Sequence, residues 1–426
     1  VSTINGDRTV TITSTNAYYS LTLPGLTTKI ASRTMSGGST TIGVTVYAAT
    51  MQVLTVTDIT AGGVTALVAD TLGIGVNPSQ ANPRKLLVLM SPSETIVPGE
   101  QTAGKTGVVG NITAGAAQDV VVYACDPYFN RIGTYNPQVA ITTDNQFDLV
   151  PASGPGTVLT SGMRLFPAGV TFKASGSGRK VTVTATGYAS STGTGVTVVP
   201  DTAKIAHILM PGETNVPGSA TGRTGTVADQ TAGIAIPNPG VTVMAVDQFW
   251  NLVSTAAVTV DFTSNDIYAV KPAGAALTFT GSKVYTDAIT FRTASAGVAP
   301  IADKWLKVTA AGLSSDTGTV VRVMPNTPAK LQVLLPGETA LRGDPNTGKT
   351  GSPAVNMAGN VYQPVNVYVV DDLWNVVTTV NMNVDWTSVT DPYVAYGAAQ
   401  TAMVNGAGNN SVTFKRGNQS NSVTAT

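Results

Sequence analysis

The chain has 426 residues, of which 42% are hydrophobic but only 11% are charged, against roughly 25% charged residues in ordinary soluble domains. Its 24 basic and 24 acidic residues cancel. This argues against nucleic-acid binding, because nucleic-acid-binding proteins need a basic face to neutralise phosphates. A single Cys and a single His exclude an intrachain disulfide and a Cys/His zinc cluster. Cys125 and His207 lie in or beside apolar, strand-like runs, so we expect a small core residue and a structural histidine.

Residues 1–84 are rich in strand-like segments but do not share the landmarks of the later chain, so we predict a divergent N-terminal β domain. The stretch near 7–23, DRTVTITSTNAYYSLTL, looks like a spare strand that could be donated to another molecule. The chain starts at Val1 rather than Met, which favours a processed and exported protein. No run of 18 apolar residues occurs, so we expect no membrane span.

From residue 85 the chain repeats itself, which defines its organisation. KLLVLMSPSETIVPGEQTAGKTG, KIAHILMPGETNVPGSATGRTG and KLQVLLPGETALRGDPNTGKTG start at Lys85, Lys204 and Lys330. Each is followed by an apolar strand ending in Asp, an Asp-x3-Asn corner, a strand containing Thr-Phe and a Val-Thr-Ala strand. We predict three domains: repeat 1 (85–203), repeat 2 (204–329) and repeat 3 (330–426).

Apolar residues alternate within each repeat, and Gly, Pro, Asn and Asp cluster between the alternating runs. This pattern predicts an all-β chain of tandem antiparallel sandwiches in an elongated array. Repeats 1 and 2 finish with TGTGVTVVP and DTGTVVRVMP, whereas repeat 3 stops inside NSVTAT. We therefore expect an unpaired edge on repeat 3, because its last strand either lies beyond this sequence or comes from a partner.

The segment GEQTAGKT matches the pattern of a phosphate-binding loop. Such a loop needs a helix after it, but the following residues predict a turn and then a strand. The equivalent segment of repeat 2, GSATGRT, is one residue short and contains Arg223 instead of Lys. We interpret the segment as a loop at the start of each repeat, where acids and bases recur at matching positions and could pair within a domain or at an interdomain junction: Glu94, Lys105, Glu213, Arg223, Glu338 and Lys349.

The Asp-x3-Asn corner has two interpretations. Both side chains can bond nearby backbone groups and stabilise a turn, which we favour. The alternative is a calcium site, but calcium needs six to eight oxygens, so the downstream residues Asp148, Asp266 or Asp391 would have to fold back. The corner residues are Asp126, Asn130, Asp247, Asn251, Asp371 and Asn375.

Together these landmarks resemble the bacterial immunoglobulin-like (Ig-like) tandem domains of invasin-type adhesins, surface-layer proteins and other secreted repeat proteins. The resemblance covers about 85–426 and implies an Ig-like sandwich for each repeat and an extracellular or cell-surface location. The usual corner of such domains carries Gly before the Asn, whereas this chain has Phe129, Trp250 and Trp374, so we expect different packing there.

Acids recur once per repeat rather than in one centre, and no nucleophile–base pair is present, so we expect neither an enzyme nor a cofactor. Glycosylation sequons occur at Asn111, Asn409 and Asn418. We expect a secreted structural protein that binds itself and assembles into a filament, sheath or surface layer by head-to-tail strand donation. The alternatives are an adhesin or stalk that binds glycans or a cell surface, and a spacer module of an enzyme.

Overall fold

A computed structural model describes residues 8–15, 17–22, 32–61, 67–82, 84–297, 301–417 and 419–426. The chain divides into two compact units, Val1–Pro200 and Asp201–Thr426. The described residues form β-strands and two short 3-10 helices, Pro155–Thr157 and Gly274–Leu277. The expectation of an all-β, Ig-like sandwich fold is confirmed, because the strands form mostly antiparallel sheets.

The N-terminal domain has two sheets, ordered β3-β1-β5-β6 and β2-β4. Its strands are β1 (Arg8–Ser14), β2 (Tyr19–Thr22), β3 (Arg33–Met35), β4 (Gly43–Val46), β5 (Met51–Asp58) and β6 (Asp70–Gly75). The candidate donor segment 7–23 is described over 8–15 and 17–22. It is not spare in the monomer, because β1 is paired on one side with β3 and on the other with β5.

Repeat 1 packs the sheet β13-β11-β7 against strands ordered β10-β17-β14 and β12-β15-β16. Its last segment, β16 and β17, pairs antiparallel with β15 and β14, and β17 also pairs parallel with β10. The strands are β7 (Lys85–Ser91), β8 (Glu94–Ile96), β9 (Lys105–Gly107), β10 (Ile112–Thr113), β11 (Ala117–Cys125), β12 (Ala140–Thr143), β13 (Met163–Thr171), β14 (Gly176–Arg179), β15 (Val181–Thr184), β16 (Ser191–Thr192) and β17 (Val196–Val199).

Repeat 2 repeats this topology. Its last segment, β27 and β28, pairs antiparallel with β26 and parallel with β21, respectively. The strands are β18 (Ile205–Leu209), β19 (Glu213–Asn215), β20 (Arg223–Gly225), β21 (Gln230–Thr231), β22 (Val241–Val246), β23 (Ala257–Ser264), β24 (Thr278–Thr280), β25 (Ser282–Tyr285), β26 (Leu306–Ala310), β27 (Leu313–Thr317) and β28 (Val323–Met324).

Repeat 3 has the sheets β29-β32-β36-β34 and β35-β33-β37. Among the described residues, β37 pairs only with β33, and residues 352–361 form no strand. The strands are β29 (Lys330–Leu334), β30 (Glu338–Ala340), β31 (Lys349–Gly351), β32 (Tyr362–Val370), β33 (Met382–Thr387), β34 (Ala395–Tyr396), β35 (Gln400–Met403), β36 (Ala407–Thr413) and β37 (Thr424–Ala425).

Period-two alternation directs one set of side chains of each strand into a core. Repeat 2 surrounds residues such as Ile208, Ile289 and Leu306 with its own apolar cluster. Repeat 3 surrounds residues such as Val367 and Trp386 with another. The second compact unit thus holds two separate cores, one for each repeat.

The segment that resembles a phosphate loop is the turn of a β-hairpin. In repeat 1 the hairpin joins β8 to β9, and Lys105 starts a strand rather than a helix. The glycine before the base has a left-handed backbone in all three repeats: Gly104, Gly222 and Gly348. A Cβ at any of these glycines would overlap the ring of Phe129, Trp250 or Trp374, respectively. The glycine is therefore required by an aromatic ring that lies on it.

These aromatic residues occupy the left-handed region themselves, with φ of 58° at Phe129, 66° at Trp250 and 65° at Trp374. This conformation is strained for a residue with a side chain. Cations cover two of the rings: Lys85 Nζ lies 4.3 Å from the Phe129 centroid, and Lys330 Nζ lies 3.7 Å from that of Trp374. The predicted difference in corner packing is thus an aromatic ring clamped between a glycine and, in repeats 1 and 3, a lysine.

Replacing Gly222 by Ala should destabilise repeat 2 far more than replacing Gly312 by Ala. Both glycines have positive φ, but a Cβ at Gly312 meets nothing within 4 Å. We expect Gly312→Ala to cost about 1 kcal/mol of unfolding free energy and Gly222→Ala about 1–3 kcal/mol more through overpacking against Trp250. Denaturant unfolding measures both. Equal losses would contradict the proposed role of the ring.

Candidate functional site: the corners and the open edge of repeat 3

Each Asp-x3-Asn corner is a closed hydrogen-bonded unit. In repeat 1 the Asp126 carboxylate accepts N–H bonds from Tyr128 and Asn130 on one oxygen, at 2.8 and 2.9 Å. Its other oxygen accepts from the Asn130 amide and from the N–H of Ser79, both at 2.9 Å. Asp126 is fully buried, and these donors account for the lone pairs of the carboxylate. The same pattern recurs at Asp247 and Asp371.

In repeats 1 and 3 the corner asparagine holds the preceding domain. The Asn130 amide donates to the Tyr47 carbonyl and accepts from the Ala49 N–H, both at 2.7 Å. In the second compact unit, Asn375 donates to the Arg292 carbonyl and accepts from the Ala294 N–H, both at 2.8 Å. The side-chain amide thus pairs with a three-residue segment as a neighbouring strand would. We call 47–49 and 292–294 the held tripeptides.

A glycine completes both of these joints, and an aspartate supports the second one. Gly343, with φ of 82°, faces the middle residue Thr293 so closely that a Cβ would overlap it. Gly99, with φ of 86°, faces Ala48 in the same way. Inside repeat 2, Asp266 accepts the N–H groups of Arg292 and Thr293, at 2.7 and 2.9 Å, and fixes the held tripeptide from behind.

The calcium interpretation is not supported by this geometry. The carboxylate of each corner already receives N–H donors, which a cation would have to displace. Asp148, Asp266 and Asp391 do not fold back onto the corners; each accepts N–H groups from the loop after the Thr-Phe pair. Among the described residues no group of three or more His, Cys, Asp or Glu side chains could hold a metal ion.

The recurring acids and bases pair inside each repeat rather than at an interdomain junction, which corrects the junction placement. Lys105 lies 2.9 Å from Glu94, and Lys349 lies 2.9 Å from Glu338. The cause is local: β8–β9 and its equivalents are hairpins that bring position 94 opposite 107. Each acid also accepts an N–H at the end of the first strand or directly after it, that of Met90, Met210 or Leu335.

Repeat 2 varies this arrangement with a cluster of charged groups. Arg223 lies 3.9 Å from Glu213 and forms a closer ion pair with Asp316. Asp316 also contacts Nδ1 of His207 at 2.7 Å, and the buried imidazole packs on Trp250 with ring centroids 4.7 Å apart. His207 is thus a buried structural residue. Cys125 is also buried, and this burial raises the pKa of its thiol to about 12.

Repeat 3 has an edge that repeats 1 and 2 do not have. The inward residues of its first strand, Leu331, Val333 and Leu335, are half-buried. Their counterparts are all less than 5% exposed: Leu86, Val88 and Met90 in repeat 1, and Ala206, Ile208 and Met210 in repeat 2. In those repeats the segment before the final strand covers the first strand, as the bond from the Leu86 N–H to the Ala189 carbonyl illustrates.

The other side of this edge shows the same difference. In repeats 1 and 2 the N–H groups of Ala114 and Ala232 donate to carbonyls of the final strand, those of Val199 and Met324. Both alanines are buried, but the counterpart in repeat 3, Ala358, is exposed. We call this surface, lined by Leu331, Val333, Leu335, Ala358, Val423 and Ala425, the open edge of repeat 3.

No family model and no curated protein matches the chain. Solved structures similar to it include the Escherichia coli adhesin FdeC, with 12% identity over 79% of this chain and 90% of that chain and a TM-score of 0.26. The Yersinia pseudotuberculosis adhesin InvE matches with 16% identity over 61% of this chain and 67% of that chain, with a TM-score of 0.20. Domains 1–6 of the surface-layer protein SbsC match with 14% identity and a TM-score of 0.19 over 96% of this chain, which spans 48% of that structure.

These structures are adhesins and a surface-layer protein, the classes that the sequence resemblance names. At such identities and TM-scores, the matches support no argument about this chain. Its fold rests on the strand pairing described above.

The sequence pattern identifies the corner residues but not the backbone groups of the held tripeptides that they contact. The held tripeptide of repeat 2 lies in the recurring Thr-Phe segment, for which the sequence pattern predicts only a strand. The signal in the sequence that could have identified it is its recurrence at 173–175 and 415–417.

Of the sequons, Asn111 and Asn409 are exposed, and Asn418 lies outside the described residues. No helix of the described residues is long and apolar enough to cross a membrane.

Replacing Asn375 by Ala should loosen the joint between repeats 2 and 3. The substitution leaves the Arg292 carbonyl and the Ala294 N–H without partners, which should cost about 1–3 kcal/mol. Asn381→Ala is a matched control, because the exposed Asn381 makes one bond to the Asn405 N–H and should cost about 0.5 kcal/mol or less. Denaturant unfolding and hydrogen exchange at Ala294 measure the effect. Unchanged exchange at Ala294 in Asn375→Ala would contradict the assignment.

The stability of repeat 1 should fall as acid protonates Glu94. Burial alone would raise the pKa of Glu94, but hydrogen bonds from the Thr194 hydroxyl, the Met90 N–H and Lys105 lower it below its usual value. The ionised group therefore stabilises the fold above the unfolded-state pKa of about 4.3, and this contribution disappears as pH falls through the folded-state pKa. Between pH 7 and 2 the unfolding temperature of Glu94→Gln should fall less steeply than that of the parent protein. Identical slopes of unfolding temperature against pH would contradict the proposed role of Glu94.

Proposed function

We propose that the protein is a structural component of the cell exterior that assembles with further copies into a filament, sheath or surface layer. The observation that carries the proposal is the open edge of repeat 3. A sandwich edge with apolar side chains and unpaired backbone groups accepts a strand from another chain by β-augmentation. The low charge of the chain also does little to oppose self-association.

The strand that we propose as donor is β1 of a neighbouring copy. In the monomer β1 is held weakly for an interior strand, because Val10 is its only buried residue. In repeats 1 and 2 the final strand buries its apolar residues Val196, Val198, Val321 and Val323 to 2% exposure or less. Transfer of β1 from its own sheet to the open edge would thus bury Ile12, which is only half-buried in its own sheet, while Val10 would stay buried.

Donation from the N-terminal domain of one copy to repeat 3 of another is a heterologous contact. Such a contact uses two different surfaces and leaves one of each free on every pair, so it propagates into an open assembly. The corners of repeats 1 and 3 support this role, because Asn130 and Asn375 each fix their domain to the preceding one through hydrogen bonds to its backbone.

The second candidate function is a stalk or adhesin that holds a binding tip away from the cell. The hydrogen-bonded joints support this function equally well, because a stalk also needs domains that are fixed to one another. The stalk hypothesis differs in its prediction for the purified protein: isolated monomers, whatever the state of β1.

A disulfide that locks β1 in its own sheet separates these hypotheses. Thr9 and Thr34 face each other on β1 and β3 with hydroxyls 3.4 Å apart, so the variant Thr9→Cys/Thr34→Cys should form a disulfide. Electron microscopy and sedimentation should show ordered fibres or sheets for the parent, monomers for the oxidised variant, and restored assembly after reduction. A parent that remains monomeric at high concentration would favour the stalk. Assembly of the oxidised variant would show that β1 is not the donor.

A further inference from the structure

We propose a specific register for the donated strand: β1 of a second copy enters the open edge of repeat 3 parallel to residues 356–357, with Ile12 beside Asn356 and Thr13 beside Met357. This inference rests on the proposed strand donation and names the atoms that recognise the strand. It follows from the way in which repeats 1 and 2 hold their own final strands.

Those final strands share one pattern, STGTGVTVV at 191–199 and DTGTVVRVM at 316–324. Val198 pairs with Ile112 and Val199 with Thr113 in repeat 1, and Val323 and Met324 pair with Gln230 and Thr231 in repeat 2. The equivalents of these partners in repeat 3 are Asn356 and Met357, since the bulge glycine that follows two residues later recurs as Gly115, Gly233 and Gly359. This correspondence sets the register on the acceptor side.

The sequence of β1 fits the same spacing. Alternate valines of the final strands face the core, and β1 offers Val10 and Ile12 at the same interval. With Val10 in the place of Val196 and Val321, Thr13 takes the place of Val199 and Met324. The Thr13 carbonyl would then accept the N–H of Ala358, as the Val199 carbonyl accepts that of Ala114 at 2.8 Å.

Charge complementarity supports this alignment. In repeats 1 and 2 a threonine hydroxyl two residues before the first core valine bonds the recurring acid, Thr194 to Glu94 and Thr319 to Glu213. The corresponding acid in repeat 3 is Glu338, and the corresponding residue of β1 is Arg8. Arg8 pairs with Asp58 at 3.2 Å in the monomer, so the exchange replaces one carboxylate partner by another.

Directed cross-linking tests the register. Met357 is 71% exposed, so a cysteine there is available, whereas the native Cys125 is buried. Adjacent strands bring paired Cα atoms to about 5 Å, within the range of a disulfide. A mixture of Thr13→Cys and Met357→Cys chains should give a disulfide-linked dimer on oxidation. The matched control is Val355→Cys, 99% exposed and two residues away, which should give about tenfold less product with Thr13→Cys. Equal yields from the two mixtures, or no Thr13–Met357 link in assembled material, would overturn the register.

A synthetic β1 peptide separates failure of the register from failure of the proposed function. The peptide RTVTITS with cysteine in place of Thr13 should link to Met357→Cys chains and not to Val355→Cys chains, whether or not the protein assembles. If fibres form but neither peptide nor chain links at Met357, the register is wrong while assembly stands. If the peptide links as expected but the chain stays monomeric, the recognition stands and the proposed function fails.

Ala425→Glu provides a second measurement on the acceptor side. Ala425 is half-buried at the open edge, whereas Thr424 points away and is exposed, so Thr424→Glu is the control. We expect Ala425→Glu to lower peptide cross-linking about tenfold or more, because it places a charge in the apolar contact, and Thr424→Glu to leave it unchanged. Circular dichroism confirms that both variants fold. Equal cross-linking in the two variants would contradict the proposed contact.

Discussion

Closure of each sandwich by its last strand is the constraint on which the rest of the structure depends. In repeat 1 this strand pairs with β10 and β14, and in repeat 2 it pairs with β21. In both repeats the segment before it covers the first strand and donates a threonine hydroxyl to the recurring acid. Without such a strand, the described part of repeat 3 keeps a formed core around Val367 and Val384 but leaves Leu331, Val333 and Leu335 half-exposed. Burial of these side chains is a driving force for binding a strand.

The corners of repeats 1 and 3 have a different role, which is to fix each of these domains to the preceding one through hydrogen bonds. A buried asparagine side chain destabilises the fold unless its amide group forms hydrogen bonds. Here backbone groups of the preceding domain form those bonds. Asn130 and Asn375 each use one donor and one acceptor on a held tripeptide, while the neighbouring aspartate holds the asparagine itself. Joint formation and corner folding are therefore coupled: a corner whose domain is separated from its neighbour has unsatisfied buried groups.

The sequence predicted the parts of this structure that depend on local pattern. Alternation of apolar residues predicts the strands, and repetition predicts the corners, because both patterns are visible in the sequence itself. Contacts between distant segments could not be derived in the same way. The sequence allows the Glu94–Lys105 pair either within a domain or at a junction, and only the structure places it in one hairpin. β1 looks spare in the sequence because its pairing partners, β3 and β5, lie about 25 and 45 residues away. The aromatic residue before the corner asparagine was noticed as unusual, but only the structure shows that Gly104, Gly222 and Gly348 are glycines because the ring lies on them.

Hydrogen exchange at three equivalent amides tests the central claim, that the edge of repeat 3 binds a strand, most directly. The N–H groups of Ala114 and Ala232 are bonded within their own repeats and should exchange slowly in monomer and assembly alike. The N–H of Ala358 should exchange rapidly in the monomer and become as protected as the other two in the assembled protein. An assembled protein in which Ala358 still exchanges at the monomer rate would contradict the account.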